Sequence, residues 1–386
     1  MKRIGIVTAT RAEYGLLSPL IKELRKYEND VLAIDLIVTG THLSYDYGHT
    51  IEEIDDRIDY KIDIPVLSRA ELDISTNQAA TLVRFTELFI RIQYDAVILL
   101  GDRYETLMIA IAAGNTRTPI FHLCGGDTTE GAIDEWIRHS ITKMSYLHFV
   151  TNKESRERVI QLGENPERVF NYGATGIDNV LHQTYMEKDE ALSSIGLHDC
   201  KYILCTYHPV TLSKASVDYQ ITEFLKIIDH FHEYEFVVTK SNADQGGSRI
   251  NELLDAAKKN ISNLHVFASL GVKRYLSLMK YAECVIGNSS SGIAEAPALH
   301  IPTVNIGDRQ KGRLQSESII NCGEQSKDII RALRNALSNE HKEICQKVIS
   351  PYGDGHAAER IAKKIVEAVM DGRIDLKKKF YGLKYI

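Results

Sequence analysis

Short apolar runs recur along the chain, separated by helical segments such as 217–232 and 271–282. The runs are continuous in Val, Ile and Leu instead of alternating with polar residues, which is typical of strands covered on both faces of a parallel sheet. Five runs lie in the first 150 residues and five follow residue 200: 3–9, 31–40, 96–101, 119–123, 147–150, 202–208, 235–240, 264–268, 283–288 and 302–307.

Two series of alternating strands and helices predict an α/β protein with two doubly wound, Rossmann-like domains. The length of 386 residues agrees, because it exceeds what one hydrophobic core commonly holds. We expect an N-terminal domain at 1–175 and a C-terminal domain at 176–355, divided where GATGIDNVLHQTY gives way to the charged MEKDEALSS. A third segment, 356–386, contains the helix-like stretch 357–372 and can pack back on either domain, the N-terminal one included.

Polar residues follow the strands of both series at the point where each strand ends. In doubly wound sheets ligands bind beyond the carboxyl ends of the strands, so we expect the active site in the cleft between the two domains. The strand-end segments are TATRAEYG, GDRYE, CGGDTTEGAIDEWIRH, YHPV, SNADQGG, NSSSG and GDRQKGR.

The segment GNSSSGIAEAP, 287–297, places three serines at a predicted strand-to-helix turn. Ordinary capping of the helix explains one hydroxyl. The other interpretation is an anion site, in which hydroxyls, free amides and the helix dipole hold a phosphate. Glu295 then accepts hydrogen bonds from the two hydroxyls of a ribose.

Three arginines also stand at strand ends, and with the serine-rich helix start they indicate a diphosphate. Arg11, Arg309 and Arg313 each have an alternative role as solvated loop arginines. Asn242 and Asp244 either form an Asx turn or contact a nucleotide directly.

Candidate acid and base groups lie in three of the strand-end segments. Asp102 follows an apolar strand, and its alternative role is an ion pair with Arg103. Asp134 and Glu135 begin a predicted helix, where Asp134 can instead be the cap. His208 can be a buried core histidine, but the proline that follows it favours an exposed position.

Composition, charge and cysteine spacing exclude several classes of protein. A net charge of −6 gives no general attraction to nucleic acid. Six cysteines show no CxxC pairing or zinc-like spacing, so we expect reduced thiols and no metal. The start MKRIGIVTAT is too quickly polar for a signal peptide, and no apolar run has the length of a membrane span, so we expect a soluble cytoplasmic protein.

The chain resembles the hydrolysing UDP-N-acetylglucosamine 2-epimerases, especially the bacterial sialic-acid-pathway branch. The likeness extends over nearly the whole chain, with the motifs in family order between residue 3 and about residue 313. The matching segments are TATRAEYGLL, LLGDRYE, DEWIRHSITKMS, RVIQLGE, YHPVTLS, SNADQGG, GNSSSGIAEAP and NIGDRQKGR.

The resemblance implies a glycosyltransferase-B-like fold, with UDP mainly on the second domain and the sugar facing the first. It also implies a reaction without metal or cofactor that converts UDP-N-acetylglucosamine to UDP and N-acetylmannosamine, for sialic-acid-type sugars, in a homodimer or homotetramer. The alternatives are the same reaction on a UDP-2,4-diacetamido-trideoxyhexose, a glycosyltransferase-B-type transferase, and a nucleotide-sugar-binding regulator without catalysis.

The same matching carries site roles onto this chain. The catalytic positions are Asp102, Asp134 and His208, and the substrate-binding positions are Arg11, Arg103, Asn242, Ser269, Leu270, Ser289, Ser290, Glu295 and Arg309.

Ser289 and Ser290 are expected at phosphate, Glu295 at ribose, and Ser269 and Leu270 near uracil.

One residue departs from the family pattern. Cys124 stands in HLCGGD where relatives usually carry Glu or His, and a neutral thiol is a poor substitute for a carboxylate base. Either Asp127 or Glu135 takes over that role, or the position only shapes the sugar pocket.

Overall fold

The computed structural model describes residues 1–28, 30–45, 48–65, 71–129, 133–210, 215–241, 246–372 and 374–382. The chain forms two compact units. The first comprises Met1–Thr128, Ile133–Asn179 and Tyr352–Ile386, and the second comprises Val180–Pro351 with the short segment Thr129–Ala132. The structural division thus falls after residue 179, where the sequence placed it after residue 175.

Each unit contains one parallel sheet, which confirms the predicted α/β class. The strands of the first unit are β1 (Lys2–Thr8), β2 (Leu32–Thr39), β3 (Tyr60–Ile62), β4 (Ala96–Leu100), β5 (Ile120–Leu123), β6 (Leu147–Val150) and β7 (Val169–Asn171). Those of the second are β8 (Tyr202–Thr206), β9 (Glu235–Thr239), β10 (Leu264–Phe267), β11 (Cys284–Gly287), β12 (Thr303–Ile306) and β13 (Ile319–Cys322).

Helices connect these strands, as parallel pairing requires. They are α1 (Arg11–Arg25), α2 (Glu71–Ile92), α3 (Tyr104–Asn115), α4 (Asp134–Met144), α5 (Lys153–Gln161), α6 (Thr175–His182), α7 (Lys188–Ser193), α8 (Val217–Lys226), α9 (Gly247–Ala257), α10 (Gly271–Tyr281), α11 (Ser290–Ala298), α12 (Ser326–Ala336), α13 (Asn339–Cys345) and α14 (Ala357–Met370).

Both sheets are doubly wound, with a reversal of strand order near the middle. The first sheet has the order β3-β2-β1-β4-β5-β6-β7, and the second has the order β10-β9-β8-β11-β12-β13. The order reverses between β1 and β4 in the first unit and between β8 and β11 in the second. Ligands of such folds bind at these switch points, beyond the carboxyl ends of the strands.

The central strands are buried because helices cover both faces of each sheet. In the first unit, α1 and α14 share one apolar core with β1, β2 and β4. Helices α2, α3 and α4 cover the other face. The apolar runs in the sequence are therefore continuous because neither face of the central strands meets water, as the pattern predicted.

Three strands escaped the sequence analysis, and all three lie at sheet edges. They are β3 and β7 at the two edges of the first sheet and β13 at one edge of the second. Each is three or four residues long and partly exposed. Because an edge strand has one neighbour and is less buried, its sequence lacks the continuous apolar run that identifies a central strand.

The end of the chain belongs to the first unit, where α14 packs on α1. Asp178 of α6 accepts hydrogen bonds from the first two amides of α14, those of Ala357 and Ala358, at 3.0 and 2.6 Å. The carboxylate therefore caps a helix that begins 179 residues later in the chain.

The tail after α14 is also tied to the first unit. Lys378 donates to the carbonyl of Ser145 and forms an ion pair with the buried Glu164, both at 2.6 Å. Burial alone would raise the pKa of Glu164, but hydrogen bonds from His148, Lys143 and Lys378 lower it to about 2. Within the described ranges, the helices include none that combines the length and apolar character needed to cross a membrane.

We predict that Asp178→Ala lowers the free energy of unfolding of the first unit by about 1–3 kcal/mol, because two buried amides and the helix dipole lose their acceptor. Urea denaturation followed by circular dichroism measures the loss. Asp354→Ala is the matched control, since this exposed carboxylate forms a surface pair with Arg360 and one long hydrogen bond with the amide of His356, at 3.3 Å, and should cost about 1 kcal/mol or less. Equal losses in the two variants would contradict the capping role.

Candidate functional site

Asn288, which directly follows β11, organises the strand ends of the second unit. Its side chain is fully buried and forms two hydrogen bonds with the backbone of His208, accepting from the amide at 2.7 Å and donating to the carbonyl at 2.8 Å. Its own carbonyl accepts from Arg309 at 3.1 Å and from Gln310 at 2.8 Å. Three of the strand-end segments predicted from the sequence therefore meet at one residue.

This arrangement needs a glycine just before Asn288. Gly287 has φ of +139°, and a Cβ there would lie 1.9 Å from the carbonyl oxygen of Thr206. The same carbonyl accepts from the amide of Asn288 at 3.1 Å. Strands β8 and β11 can approach this closely at their ends only because residue 287 has no side chain.

Helix α11 begins at Ser290, and Ser289 is its cap. The Ser289 hydroxyl accepts from the amide of Ser291 at 3.3 Å, which confirms the capping interpretation for this serine. Ser290 is exposed at the first helical position. The hydroxyl of Ser290 and the positive end of the helix dipole thus remain at the surface, where an anion can approach.

Glu295 lies one turn into α11 and is held by its own helix. Ser291 donates a hydrogen bond to its Oε2. Burial raises the pKa of Glu295 to about 7. Burial, followed by the charge of Glu295, also raises the pKa values of Tyr185 and Tyr275, so both tyrosines lie close to this carboxyl. Glu295 is thus a partly buried carboxyl that changes charge near neutral pH, among hydroxyl groups.

His208 is buried, which contradicts the exposed position that Pro209 favoured. Strand β8 ends at Thr206, and His208 follows it with 6% of its surface accessible. Its Nδ1 lies 3.3 Å from the hydroxyl of Ser241. Burial, followed by the positive charge of Arg309, lowers the pKa of His208 to about 3, so the imidazole is neutral at pH 7.

The remaining predicted residues of the second unit are placed as follows. Ser269 is exposed, and its hydroxyl accepts from the amide of Gly271 at 3.1 Å. Leu270 is buried and precedes the first residue of α10. Asn242 and Asp244 lie outside the described residues.

In the first unit, Arg138 of α4 joins the loops that follow β4 and β5. It is 2% exposed and donates to the Asp102 carboxylate, to the carbonyl of Asp127 at 2.7 Å and to Glu135 at 3.3 Å. The ion-pair alternative for Asp102 therefore holds, with Arg138 as the partner in place of Arg103. Asp134 is half-buried and is the first residue of α4, with Ile133 in the cap position.

His122 fixes the backbone that carries Asp102. Its Nε2 lies 2.8 Å from the carbonyl of Gly101, and its Nδ1 lies 3.2 Å from the hydroxyl of Thr142 on α4. Burial lowers the pKa of His122 to about 4, so a neutral imidazole serves both contacts at pH 7. The ring thereby links the end of β4 to the helix that carries Asp134.

A second buried carboxyl, Glu13, lies near Asp102. Its Oε2 accepts from the amide of Ala9 at 2.7 Å, and its Oε1 is buried without a hydrogen-bond partner among the residues described. Burial raises the pKa of Glu13 to about 7, although the positive charge of Arg103 opposes the shift. Arg103 pairs with the buried Glu105 at 3.2 Å.

Arg11 and Cys124 lie at other strand ends of the first unit. Arg11 begins α1 and has Glu53 within 3.7 Å. Cys124 follows β5 with φ of +63° and donates its amide to the carbonyl of Phe149 at 2.9 Å. Asp127, three residues later, accepts from the hydroxyls of Thr151 and Ser155 at 2.7 and 2.6 Å, so one of its oxygens already serves the loop.

These groups suit anion binding and proton transfer. The second unit offers a guanidinium, a helix start and a carboxyl near neutral pKa, whereas the first offers several carboxylates held by arginines. In the part of the chain that the structure describes, no three His, Cys, Asp or Glu side chains are placed to hold a metal ion.

The sequence analysis did not identify four residues that shape these sites: Asn288, Arg138, His122 and Glu13. Each stands beside a residue that it did identify, within NSSSG, DEWIRH, HLCGGD or TATRAEYG. The sequence does not show the hydrogen-bond partners of these residues, because a buried Asn or Arg bonds to groups that lie far along the chain.

Residues 23–366 match the family model described as UDP-N-acetylglucosamine 2-epimerase. The GDP/UDP-N,N'-diacetylbacillosamine 2-epimerase (hydrolyzing) of Campylobacter jejuni is 40% identical, covering 89% of each chain. The polysialic acid biosynthesis protein P7 of Escherichia coli is 38% identical, covering 95% of each.

A solved structure of UDP-GlcNAc 2-epimerase from Neisseria meningitidis, bound to UDP-GlcNAc, is similar with a TM-score of 0.79 at 19% identity, over 95% of this chain and 100% of that one. This likeness confirms the predicted glycosyltransferase-B-like fold. The family model covers most of the chain, including Arg138 and Asn288, so the chain belongs to the UDP-N-acetylglucosamine 2-epimerase family.

Proposed function

We propose that this protein is a hydrolysing 2-epimerase that converts UDP-N-acetylglucosamine to N-acetylmannosamine and UDP, in sialic-acid-type sugar synthesis. The observation that carries the proposal is that the two units bring together different kinds of side chain. In the second unit Arg309 donates to Asn288, just before the start of α11, and in the first unit the carboxylates of Asp102 and Glu135 accept from Arg138.

The nucleotide is assigned to the second unit. Arg309 and the start of α11, with Ser289 and Ser290, suit the diphosphate, because guanidinium groups and helix N-termini both bind phosphate oxygens. Glu295 suits the ribose, since an ionised carboxylate accepts from two adjacent hydroxyls. Ser269 and Leu270 precede α10, whose Tyr275 lies near Glu295, and we assign them to the uracil.

The reaction begins with proton removal from carbon 2 of the sugar. A carboxylate takes the proton, the C2–H electron pair forms a double bond between carbons 1 and 2, and the C1–O bond breaks so that UDP leaves with its electrons. This proton is weakly acidic, so groups that stabilise the departing diphosphate must supply much of the barrier reduction. Arg309 is placed for that role in the proposed complex.

Water then completes the reaction. Its oxygen bonds to carbon 1 of the glycal, and carbon 2 receives a proton on the face opposite to the one that lost it. The two proton transfers need two acid-base groups on different segments, and we assign them to Asp102 and Asp134. Asp127 accepts from two loop hydroxyls, so it is not the preferred substitute for the carboxylate missing at Cys124. Glu135, which Arg138 and His139 hold, remains an alternative for that role.

His208 acts at the diphosphate in this proposal. Its imidazole is neutral in the free protein because burial and Arg309 lower its pKa. A bound diphosphate would oppose the effect of Arg309 and raise that pKa, since an anion stabilises the imidazolium. His208 would then be able to donate a proton or hydrogen bond to the leaving phosphate.

A second candidate substrate is UDP-N,N'-diacetylbacillosamine, a 2,4-diacetamido-trideoxyhexose. The specific support is the 40% identity to the Campylobacter jejuni enzyme named for this sugar. The two substrates differ at carbons 4 and 6 and share the carbon 2 chemistry, so the proposed mechanism is the same for both.

Incubation with each UDP-sugar alone, followed by proton NMR, tests the proposal. We expect free UDP together with N-acetylmannosamine from UDP-N-acetylglucosamine. Faster turnover of the diacetamido sugar would move the proposal to the second substrate. UDP binding without any turnover would favour a regulator, and turnover only with a sugar acceptor would favour a transferase.

Asp102→Asn is expected to lower turnover by about 100-fold or more while UDP binding changes little, because the amide keeps the shape but cannot exchange a proton. In heavy water the wild-type product must carry deuterium at carbon 2. Retention of protium there would refute the elimination path. Asp127→Asn is the comparison variant, and its turnover should be retained, since its carboxylate accepts from loop hydroxyls.

Asp134→Asn separates the two acid-base assignments. If it abolishes deuterium exchange while Asp102→Asn permits exchange, Asp134 is the group that removes the carbon 2 proton. Nucleotide binding is measured first on each variant, so that lost binding is not mistaken for lost chemistry.

Glu295 should make nucleoside binding depend on pH. With a pKa of about 7, the carboxyl ionises between pH 6 and pH 8, and only the ionised form accepts from both ribose hydroxyls. We expect the affinity for uridine, which has no titrating phosphate, to rise about tenfold over this range.

Glu295→Gln should bind uridine more weakly and without this pH dependence. Glu324→Gln is the matched control, because Glu324 is another carboxyl whose pKa burial raises, at the end of β13 in the same unit. A flat wild-type profile measured by calorimetry, or an unchanged profile in Glu295→Gln, would remove Glu295 from the ribose site.

A further inference from the structure

A cavity lies beyond the carboxyl ends of β2 and β3 in the first unit. Its volume is about 320 Å³, at the lower end of the range for small-molecule sites. This space, called the β2–β3 cavity below, is lined by Gly40 and by six side chains from the segments that follow the two strands: Leu43, Ser44, Tyr45, Asp63, Ile64 and Pro65. None of the site residues described above belongs to this lining.

The wall of the β2–β3 cavity is bonded to the end of β1, the strand that leads to Arg11. Gly40 has φ of +62°, and a Cβ there would lie 2.8 Å from the carbonyl oxygen of Ala9. The same carbonyl accepts from the Thr41 hydroxyl at 3.1 Å and from the His42 amide at 3.3 Å. The cavity is therefore held in a fixed position beside the strand ends that carry the candidate site.

The spacing of the strands gives the distance from this cavity to Asp102. In the first sheet β2 pairs with β1, and β1 pairs with β4, which Asp102 follows. Neighbouring strands lie about 4.8 Å apart, so the end of β2 is about 10 Å from the end of β4. A substituted sugar ring can span this distance when its carbon 2 lies at Asp102.

An acetamido group on carbon 4 of such a sugar has the required reach. Its methyl carbon lies about 3.8 Å from carbon 4, as the two Cα atoms across a trans peptide do, and roughly 6 Å from carbon 2. With a proton acceptor about 3 Å from carbon 2, the methyl group comes to lie roughly 9 Å from that acceptor. A hydroxyl on carbon 4 is about 2.4 Å shorter and would stop near the entrance of the cavity.

The β2–β3 cavity also has room for this group. An acetamido group has four non-hydrogen atoms and needs on the order of 100 Å³, if each atom takes the space of one liquid water. A hydroxyl needs about a quarter of that volume and would leave most of the cavity to water. The volume is therefore larger than a sugar with a carbon 4 hydroxyl requires.

The lining suits both parts of an acetamido group. Leu43, Ile64 and Pro65 supply apolar atoms for the methyl group, and the Ser44 hydroxyl can donate to the amide carbonyl. The Asp63 carboxylate can accept from the amide N–H. It is exposed and its nearest cation is 3.9 Å away, beyond the length of a hydrogen bond, so it stays available to a ligand.

Tyr45 supplies an aromatic ring to the same lining. The residue is 82% exposed, and one face of its ring is stacked on His49 with the ring centroids 4.2 Å apart. Because this stacking orients the ring before a ligand arrives, its free face can pack against the apolar atoms of a sugar at little cost in conformational entropy.

We propose that the β2–β3 cavity receives the substituent on carbon 4 of the substrate's sugar and accepts an acetamido group there as well as a hydroxyl. The inference rests on the proposed function, because it requires a UDP-sugar whose carbon 2 lies at Asp102. It makes Ser44 and Asp63 residues that determine which UDP-sugar is used, although neither takes part in the proton transfers.

A phosphate group fits the cavity less well than an acetamido group. Among the described residues that line the cavity there is no lysine, arginine or histidine, and Asp63 carries a negative charge. An anion would therefore be repelled, whereas a neutral group with an N–H, a carbonyl and a methyl finds a partner for each part.

Calorimetry with three UDP-sugars tests the proposal, in the Asp102→Asn variant so that the ligands stay intact. The three are UDP-N-acetylglucosamine, its 6-deoxy form and UDP-N,N'-diacetylbacillosamine, and only the last carries an acetamido group on carbon 4. The 6-deoxy form separates an effect at carbon 4 from an effect at carbon 6. With the cavity unaltered, we expect the diacetamido sugar to bind at least as tightly as the other two.

Addition of Ser44→Leu fills the cavity and removes its hydroxyl. The diacetamido sugar should then bind about tenfold more weakly or worse, and the other two sugars less than about threefold more weakly, because a hydroxyl does not reach the introduced side chain. The affinity for UDP alone should not change. Ser193→Leu is the matched control, since this exposed serine lies on α7 of the second unit, and it should alter none of the affinities.

Asp63→Ala is a second, milder variant at an exposed position. It should weaken the binding of the diacetamido sugar by about three- to tenfold and leave that of the other two sugars unchanged, because only the amide N–H loses its acceptor. Circular dichroism and thermal melting on every variant separate lost binding from lost folding. If Ser44→Leu fails to fold, Asp63→Ala still decides the outcome.

Two results would overturn the proposal. One is a protein with an unaltered cavity that binds the diacetamido sugar more than about tenfold more weakly than UDP-N-acetylglucosamine. The other is a pair of cavity variants that weaken the 6-deoxy sugar as much as the diacetamido sugar. If the wild-type protein turns over neither UDP-sugar, the proposed function fails, while the ratios of the dissociation constants still test the cavity.

Discussion

The amide side chain of Asn288 satisfies both backbone groups of His208, and the strand-end site of the second unit depends on this pair of hydrogen bonds. A buried loop end cannot leave its amide and carbonyl unpaired without a cost of about 1–3 kcal/mol for each. Asn288 removes that cost and, through its own carbonyl, also holds Arg309. The same residue thus stabilises the loops and fixes the groups assigned to the diphosphate.

In the first unit, charged side chains hold the loops that follow the strands. Buried Arg138 reaches Asp102, a loop carbonyl and Glu135, and neutral His122 ties the backbone before Asp102 to α4. A carboxylate held by a buried guanidinium is oriented before any ligand binds, which is what a proton-transfer group requires. Stability and preparation for chemistry therefore rest on the same contacts in both units.

The fold was accessible from the sequence because buried parallel strands leave continuous apolar runs, and the ten predicted runs coincide with ten central or edge strands. The short edge strands β3, β7 and β13 left no such run. For the candidate sites, the sequence showed which polar residues follow a strand, but it did not show their hydrogen-bond partners. Pro209 favoured exposure of His208, yet the hydrogen bonds that bury its backbone come from Asn288, 80 residues later. Local sequence cannot show a contact of that range.

The electrostatic state of the proposed nucleotide site follows from burial. Both Glu295 and His208 have their charged forms disfavoured by desolvation, so the carboxyl has a pKa of about 7 and the imidazole one of about 3. In the proposed site, Arg309 therefore supplies the positive charge for an arriving anion. In the proposed complex, the diphosphate neutralises Arg309 and raises the pKa of His208, while the ribose hydroxyls favour ionised Glu295. Ligand binding would thus raise the proton affinity of the histidine and lower that of the carboxyl, each toward the state that the proposed reaction uses.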